Sequence, residues 1–289
     1  MTNIDQFESV FKAASKVTYR YRPLPVRSVM IVTDLDRAAA DAFADRVRSF
    51  LAVLTQHREG SEQVTWQVVT ADQYENVSEL LALVEQASPD LVCTYRNLRD
   101  AAWRWEYSLG AYLDVLAQLA LPPVLVLPHP EAELSSERML DTNSVMAMTD
   151  HLAGDDALVS AAVDFTEPDG TLLLTHVEDR ATFERYIEAI SKIPEIDTDV
   201  ARERISHQLL KEPRDYIANC AAVLREMKVP VLVEELVTLG HHVSDYRRLV
   251  DEHQVDLLVL HTKDEDQLAM HGMAYPLSVE LRDVPVLML

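Results

Sequence analysis

The chain repeats itself. Ser28-Val29-Met30-Ile31-Val32-Thr33-Asp34 returns as Ser144-Val145-Met146-Ala147-Met148-Thr149-Asp150, and Pro123-Val124-Leu125-Val126-Leu127 returns as Pro285-Val286-Leu287-Met288-Leu289. Between these markers, Leu83-Val84-Glu85 leading to Asp90-Leu91-Val92 matches Leu249-Val250-Asp251 leading to Asp256-Leu257-Leu258. A period this long exceeds any solenoid unit, so each copy is a whole domain and the chain is a tandem pair built on one fold. Functional sites are then either shared by both copies or kept by one and lost by the other.

Length agrees with the repeat: 289 residues correspond to about two domains. With 48% of residues hydrophobic there is material for two cores. The formal net charge of −22 repels phosphate backbones and anionic lipid, which argues against nucleic acid and membrane as partners. Two widely separated cysteines, Cys93 and Cys220, with no CxxC pattern, fit a reducing compartment rather than a disulfide framework. The start of the chain lacks the basic and apolar regions of a signal peptide. No uncharged apolar run approaches the roughly 20 residues that span a bilayer. The expectation is a cytoplasmic protein.

Residues 1–22 carry Ile4, Phe7, Val10, Phe11 and Ala14 on one helical face, an accessory helix expected to lie on the first domain and to end at Pro23 and Pro25. The first domain is residues 23–128, the linker 129–142 and the second domain 143–289. Within them, near-continuous apolar strands alternate with helical stretches, the pattern of a parallel sheet covered on both faces. The second copy carries a helical insertion at about 180–227, expected to break near Pro194 and Pro213. Its strand from Thr171 to Val177, with the helix after it, has no evident counterpart in the first copy, which reads as abridged by one βα unit.

The order of these motifs resembles the universal stress protein family. In the second copy Thr149-Asp150 closes a strand, and Leu172-Leu173-Leu174-Thr175-His176-Val177 follows. Gly240, then Leu249-Val250 with Asp256-Leu257-Leu258-Val259, and Gly272 before Val284-Pro285-Val286-Leu287 complete the series. The resemblance covers residues 26–128 and 144–289, more faintly in the first. It implies two tandem adenine-nucleotide α-hydrolase-like (Rossmann-like) α/β domains with parallel five-stranded sheets. They would pack as an intramolecular pseudo-dimer through their last strands, residues 124–127 and 286–289, with a further homodimer as an open question. Some members bind ATP at the carboxyl ends of the strands. There a loop of pattern glycine, two residues, glycine, nine residues, glycine, then serine or threonine holds the phosphates.

On that resemblance the candidate nucleotide residues are Asp150, Val177 and Gly272 in the second copy and Asp34 and Gly110 in the first. Gly110 stands as far before Pro123 as Gly272 stands before Pro285. A tight turn or close packing would retain both glycines without any ligand. Equally, Asp34 and Asp150 could serve only to hydrogen-bond the turn into a helix. The rest of the loop departs from the pattern. Tyr95 and His261 fall at the first glycine, Leu98 and Asp264 at the second, and Ala111 and Met273 where the hydroxyl belongs. Lys263 in one copy, and Arg96 and Arg99 in the other, are the cations available to offset this.

Other chemistry is poorly supported. His241, His242 and His253 lack the spacing of a closed metal site. No nucleophile elbow, Walker loop or dinucleotide fingerprint occurs. Acidic pairs such as Glu178-Asp179, Asp155-Asp156 and Asp251-Glu252 read as solvated helix ends. Trp66, Trp103 and Trp105, with Arg104 between the last two, read as core rather than partner surface. A receiver domain would need a phospho-accepting aspartate where Thr94-Tyr95 stands. The leading expectation is therefore a non-catalytic stress-response protein acting through protein partners, its nucleotide binding weakened or lost. The alternative is an ATP- or AMP-binding sensor, with slow ATP hydrolysis, in the second cleft. A remoter one is a small-metabolite enzyme with the insertion as a lid.

Overall fold

The repeated Ser-Val-Met run becomes the centre of each half. The computed structural model describes residues 18–56, 63–100, 108–132, 139–148, 152–262 and 274–289. In the first half β1 (Ser28–Val32) pairs in parallel with β2 (Thr65–Val69) on one side and β3 (Leu91–Tyr95) on the other, and β3 with β4 (Val124–Leu127). In the second, β5 (Ser144–Met148) lies between β6 (Thr171–Asp179) and β8 (Leu257–Leu260); β6 also pairs with β7 (Leu232–Gly240), and β8 with β9 (Val286–Met288). The registers repeat with the sequence: Ser28 faces Thr65 as Ser144 faces Thr171, and Val29 faces Leu91 as Val145 faces Leu257.

The two last strands join the halves. β4 and β9 run antiparallel, Val124 opposite Met288 and Val126 opposite Val286, which gives one nine-stranded sheet of order β2-β1-β3-β4-β9-β8-β5-β6-β7. Each strand would otherwise leave an apolar edge unpaired, so mutual pairing removes two aggregation-prone edges at once.

Helices cover both faces: α1 (Arg37–Phe50), α2 (Val53–Gln56), α3 (Val77–Ala87), α4 (Ala111–Leu119), α5 (Asp156–Phe165), α6 (Arg180–Ile190), α7 (Thr198–Glu226), α8 (His242–Glu252) and α9 (Ala274–Glu280). Their starts are set by side-chain caps. Asp36 accepts from Ala39 N at 2.9 Å, Asn76 from Glu79 N at 3.1 Å, Asp155 from Leu158 N at 3.0 Å and Asp179 from Thr182 N at 2.7 Å. Each satisfies an amide that the helix cannot.

The Ser and Asp repeated in the two copies meet in space. The Asp90 carboxylate accepts from the N–H of Arg27 (2.8 Å), the N–H of Ser28 (2.9 Å) and the Ser28 hydroxyl (3.0 Å). Asp256 accepts from Ser144 N at 2.8 Å in the same place. The pair locks the entry of the central strand to that of its neighbour in both halves.

Two expectations need correction. The strand without a counterpart is β7, not β6: β2 occupies beside β1 the position that β6 occupies beside β5. The first half is thus a four-stranded version lacking the outermost strand, and the insertion α6–α7 is the connection leading to that extra strand. Second, α7 runs unbroken through Pro213. Proline costs an interior helix about 3 kcal/mol, but the burial of Pro213, Tyr216, Ile217, Cys220 and Leu224 on one face offsets it. The apolar positions of the expected accessory helix, Ile4 to Ala14, fall outside the described residues. Residues 18–24, which follow them, cross onto α5 and α7 of the second half.

Candidate functional site: the carboxyl ends of the strands

In the first half the strand ends are spanned by their own side chains. Tyr95, the last residue of β3, is fully buried between Phe43 (ring centroids 5.2 Å, edge-on) and His129 (5.3 Å, edge-on). Its hydroxyl meets Thr33 Oγ1 at 3.0 Å, accepts from Asp34 N at 3.0 Å and donates to Asp34 Oδ1. The other carboxylate oxygen of Asp34 accepts from Arg99 N at 2.8 Å. Burial, together with the donation to Asp34, pushes the Tyr95 phenol well above its usual range and keeps it a donor. Asp34 therefore does not cap α1; Asp36 does.

Arg99 reaches further across. Its guanidinium donates to the carbonyls of Ala71 and Tyr74 and lies over the Tyr74 ring, 4.4 Å from the centroid. The Tyr74 hydroxyl returns to Thr33 O at 3.3 Å. The loop after β3 is thereby bound to the loops after β1 and β2.

Arg96 turns the other way. It is 3% exposed and donates to Ser278 O and, at 2.8 Å, to Leu281 O, the carbonyls at the end of α9 in the opposite half. A cation there also suits the negative end of the helix dipole. Burial far from a matched carboxylate pulls its guanidinium down to about 10. The equivalent residue of the second half is Thr262, whose hydroxyl donates to Ala117 O of α4 at 3.2 Å and to Leu289 O at 3.1 Å. Each half thus holds the last helix of the other. Arg96, through both terminal nitrogens, and Arg99, through Nη2, the cations expected to offset the altered loop, donate to protein carbonyls.

Gly110 has φ +94°, and a Cβ there would sit 2.7 Å from Asn97 Cα, so both conformation and space demand glycine. It is the residue that starts α4, pressed against the loop carrying Arg96 and Arg99.

In the second half Asp150 and Gly272 lie outside the described residues, as do Lys263, Asp264 and Met273, and in the first half Trp103, Arg104 and Trp105. Val177 is buried and paired with Thr238, with β6 continuing beyond it to Asp179. His261, where Tyr95 stands in the first half, bridges from Nε2 to Asp155 Oδ1 at 2.9 Å, so it reaches back to the start of α5. Asp156 beside it accepts from the Tyr216 hydroxyl at 2.8 Å, so this acidic pair is structural rather than merely solvated. Gly240, at the end of β7, leaves room for Asp245, which takes the His241 N–H at 2.6 Å.

No cluster of metal-ligating side chains occurs among the described residues; His253 instead faces Glu234 at 3.7 Å. Both thiols are buried, and burial raises Cys220 to about 12. Among the described residues no helix is long and apolar enough to cross a membrane. Sequence reasoning placed Tyr95 at the altered loop but missed its bond to Asp34. Ser160, a lone hydroxyl in the apolar run of α5, was the available sign that another segment docks there.

No protein-family model and no curated protein matches the sequence. Among solved structures the chain is similar to a functionally unknown protein of Pseudomonas aeruginosa PAO1, with 12% identity over 92% of this chain and 93% of that one and a TM-score of 0.50. Others are described as universal stress proteins. One, a putative member from Pseudomonas aeruginosa UCBPP-PA14, shows 13% identity over 92% and 94% of the two chains with a TM-score of 0.47. Another, from Archaeoglobus fulgidus DSM 4304, shows 13% over 92% and 97% with 0.48. At these identities the likeness is one of fold, a mostly parallel Rossmann-like sheet spanning both halves.

Proposed function

We propose that this is a non-catalytic stress-response protein that acts through protein partners and whose nucleotide binding is weakened or lost. The observation that carries the reading is the Asp34 carboxylate, with one oxygen taking the Tyr95 hydroxyl and the other the Arg99 amide. In the resembled family this acid contacts the nucleoside. Arg99 and Tyr74 occupy the end of β2, where the resemblance puts the base, with hydrogen bonds and a stacked ring of the kind a base would use. A nucleotide would have to displace both. The stress-response assignment rests on the order of the duplicated motifs together with the fold, and its setting is the cytoplasm.

Isothermal titration of nucleotide-stripped protein with Mg-ATP, then AMP, tests this. At about 100 μM protein, where millimolar affinity begins to escape detection, no saturable heat is expected. Binding at micromolar affinity would overturn the nucleotide-independent reading. It would favour the second one, an ATP or AMP sensor in the second cleft, which the complete five-strand order β7-β6-β5-β8-β9 supports. That reading requires Gly272→Val to abolish binding with the fold intact.

A further inference from the structure

The segment leading into the first half is held by the second. Residues 18–24 run without helix or strand partners of their own, and their burial alternates: Tyr19 is 2% exposed and Tyr21 half-buried, while Arg20 and Arg22 face solvent. This is an extended ribbon showing every second side chain to a groove between α5 and α7. Tyr19 N donates to Asn219 Oδ1 at 2.7 Å, and its hydroxyl meets Ser160 Oγ at 3.1 Å. Arg22 N donates to the same Ser160 oxygen at 3.0 Å, the Tyr21 hydroxyl to Asp164 Oδ1 at 2.5 Å, and Leu24 N to Asp164 Oδ2. The Tyr19 ring stands edge-on to Tyr216, centroids 6.2 Å apart.

These contacts have the composition of peptide recognition. Backbone N–H groups at three positions supply anchorage, and two tyrosines two residues apart supply selection. Ser160 explains itself only in this light, being a hydroxyl 1% exposed on the apolar face of α5 that the ribbon satisfies. The ribbon's exit favours release as a unit: Pro23 and Pro25 have no N–H to bond and restrict the hinge to extended conformations.

We propose that the groove between α5 and α7 is a recognition site for an extended protein segment bearing Tyr-x-Tyr, occupied in cis by residues 18–24 and open in trans to a partner carrying the same pattern. It rests on the reading that the chain works through partner proteins, and names the surface and the chemistry of that partner. The net charge of −22 draws in basic segments, and the cis occupant, Thr-Tyr-Arg-Tyr-Arg-Pro-Leu-Pro, is one. Tethering gives the cis segment an effective concentration of millimolar order, so a partner meets a groove that is mostly filled and must match the ribbon well to enter.

The test uses a fluorescein-labelled peptide of residues 18–25 and the full-length chain, read by anisotropy without nucleotide, so its outcome is independent of the ATP titration. The Tyr19→Ala/Tyr21→Ala chain should bind the peptide saturably, at least tenfold more tightly than the unaltered chain does, and adding Asp164→Ala should abolish binding. A folded Tyr19→Ala/Tyr21→Ala chain that ignores the peptide at millimolar concentration, or binding indifferent to Asp164→Ala, would overturn the proposal. Should the double variant not fold, hydrogen exchange on the unaltered chain decides. The amides of Tyr19, Arg22 and Leu24 should exchange at least a hundredfold faster than the β5 and β8 amides. Exchange only in step with that core would mean the ribbon never leaves.

Discussion

Arg96→Met is the substitution whose outcome depends most directly on how the halves are joined. Methionine keeps much of the apolar stem and deletes the charge. The loss is two charge-assisted hydrogen bonds to Ser278 O and Leu281 O, about 1.5–3 kcal/mol each. Against this, the buried cation is itself costly: a guanidinium drawn from 12.5 to about 10 by desolvation corresponds to about 3 kcal/mol on the scale of 1.36 kcal/mol per pKa unit. Relief of that cost cancels roughly half of the loss, but two buried carbonyls are then orphaned at about 1–3 kcal/mol each. Taken at mid-range, the net expectation is a destabilisation of about 5 kcal/mol, or nearly 2 M in urea midpoint for a slope near 3 kcal/mol/M. The tryptophans make the assay selective. Trp66, Trp103 and Trp105 all belong to the first half, so fluorescence follows that half while far-UV circular dichroism follows both. The two curves should coincide in the unaltered chain and separate in the variant, because coincidence of probes is the mark of a single cooperative unit. A shift below about 0.2 M, or variant curves that still superimpose, would refute the claim that Arg96 couples the halves.

Three further outcomes follow from local geometry. Asp90→Ala removes three hydrogen bonds at the strand entry and should cost about 2–3 kcal/mol at pH 7. Burial alone would raise the Asp90 pKa, but its hydrogen bonds to Arg27 and Ser28 outweigh burial and hold it below 3.8; the stabilisation is present above the unfolded value and lost as pH falls through the folded one, so the urea difference should shrink below about pH 4. Gly110→Ala meets both an unfavourable φ and the Asn97 backbone at 2.7 Å, and should lose about 2–3 kcal/mol in the same urea assay. Gly240→Ala strikes only the Asp245 carboxylate, so a double-mutant cycle should find it costing about 1–2 kcal/mol alone and close to nothing in an Asp245→Ala background.

Much of the scaffold was legible because repetition amplifies weak signals. A single Ser-Val-Met run is an unremarkable strand, but two of them, each followed later by a Leu-Val-acid run seven residues ahead of Asp-Leu-Val or Asp-Leu-Leu, fix the central strands and their neighbours. The pairing of β4 with β9 followed from edge strands that could not stay exposed. The abridgement was read correctly in size and misplaced in position, because strand order in a sheet depends on pairing and not on sequence order. Pro213 misled because its local cost is visible in sequence while the burial of Tyr216, Ile217 and Cys220 on the same face is not. The connections made by single side chains over long separations, Arg96 to Leu281 and Tyr19 to Ser160, left only one trace: polar residues set among apolar ones.

The two halves differ where a duplicated fold is free to differ. At the amino ends of the strands both keep the Ser–Asp latch, Asp90 with Ser28 and Asp256 with Ser144, because strand register depends on it. At the carboxyl ends the same position holds Tyr95 in one and His261 in the other, and each reaches back to an aspartate of the first loop, Asp34 or Asp155. One position later, Arg96 and Thr262 each cross to the opposite half. The face that open α/β sheets offer to ligands has thus become, at these positions, the face on which the halves hold themselves and each other together. A side chain that bonds within the protein holds its loop without a ligand, and substitutions that would abolish a nucleotide site become tolerable once the loop no longer needs one. The groove filled by residues 18–24 lies on the half with the fifth strand and takes the segment that leads into the four-stranded half.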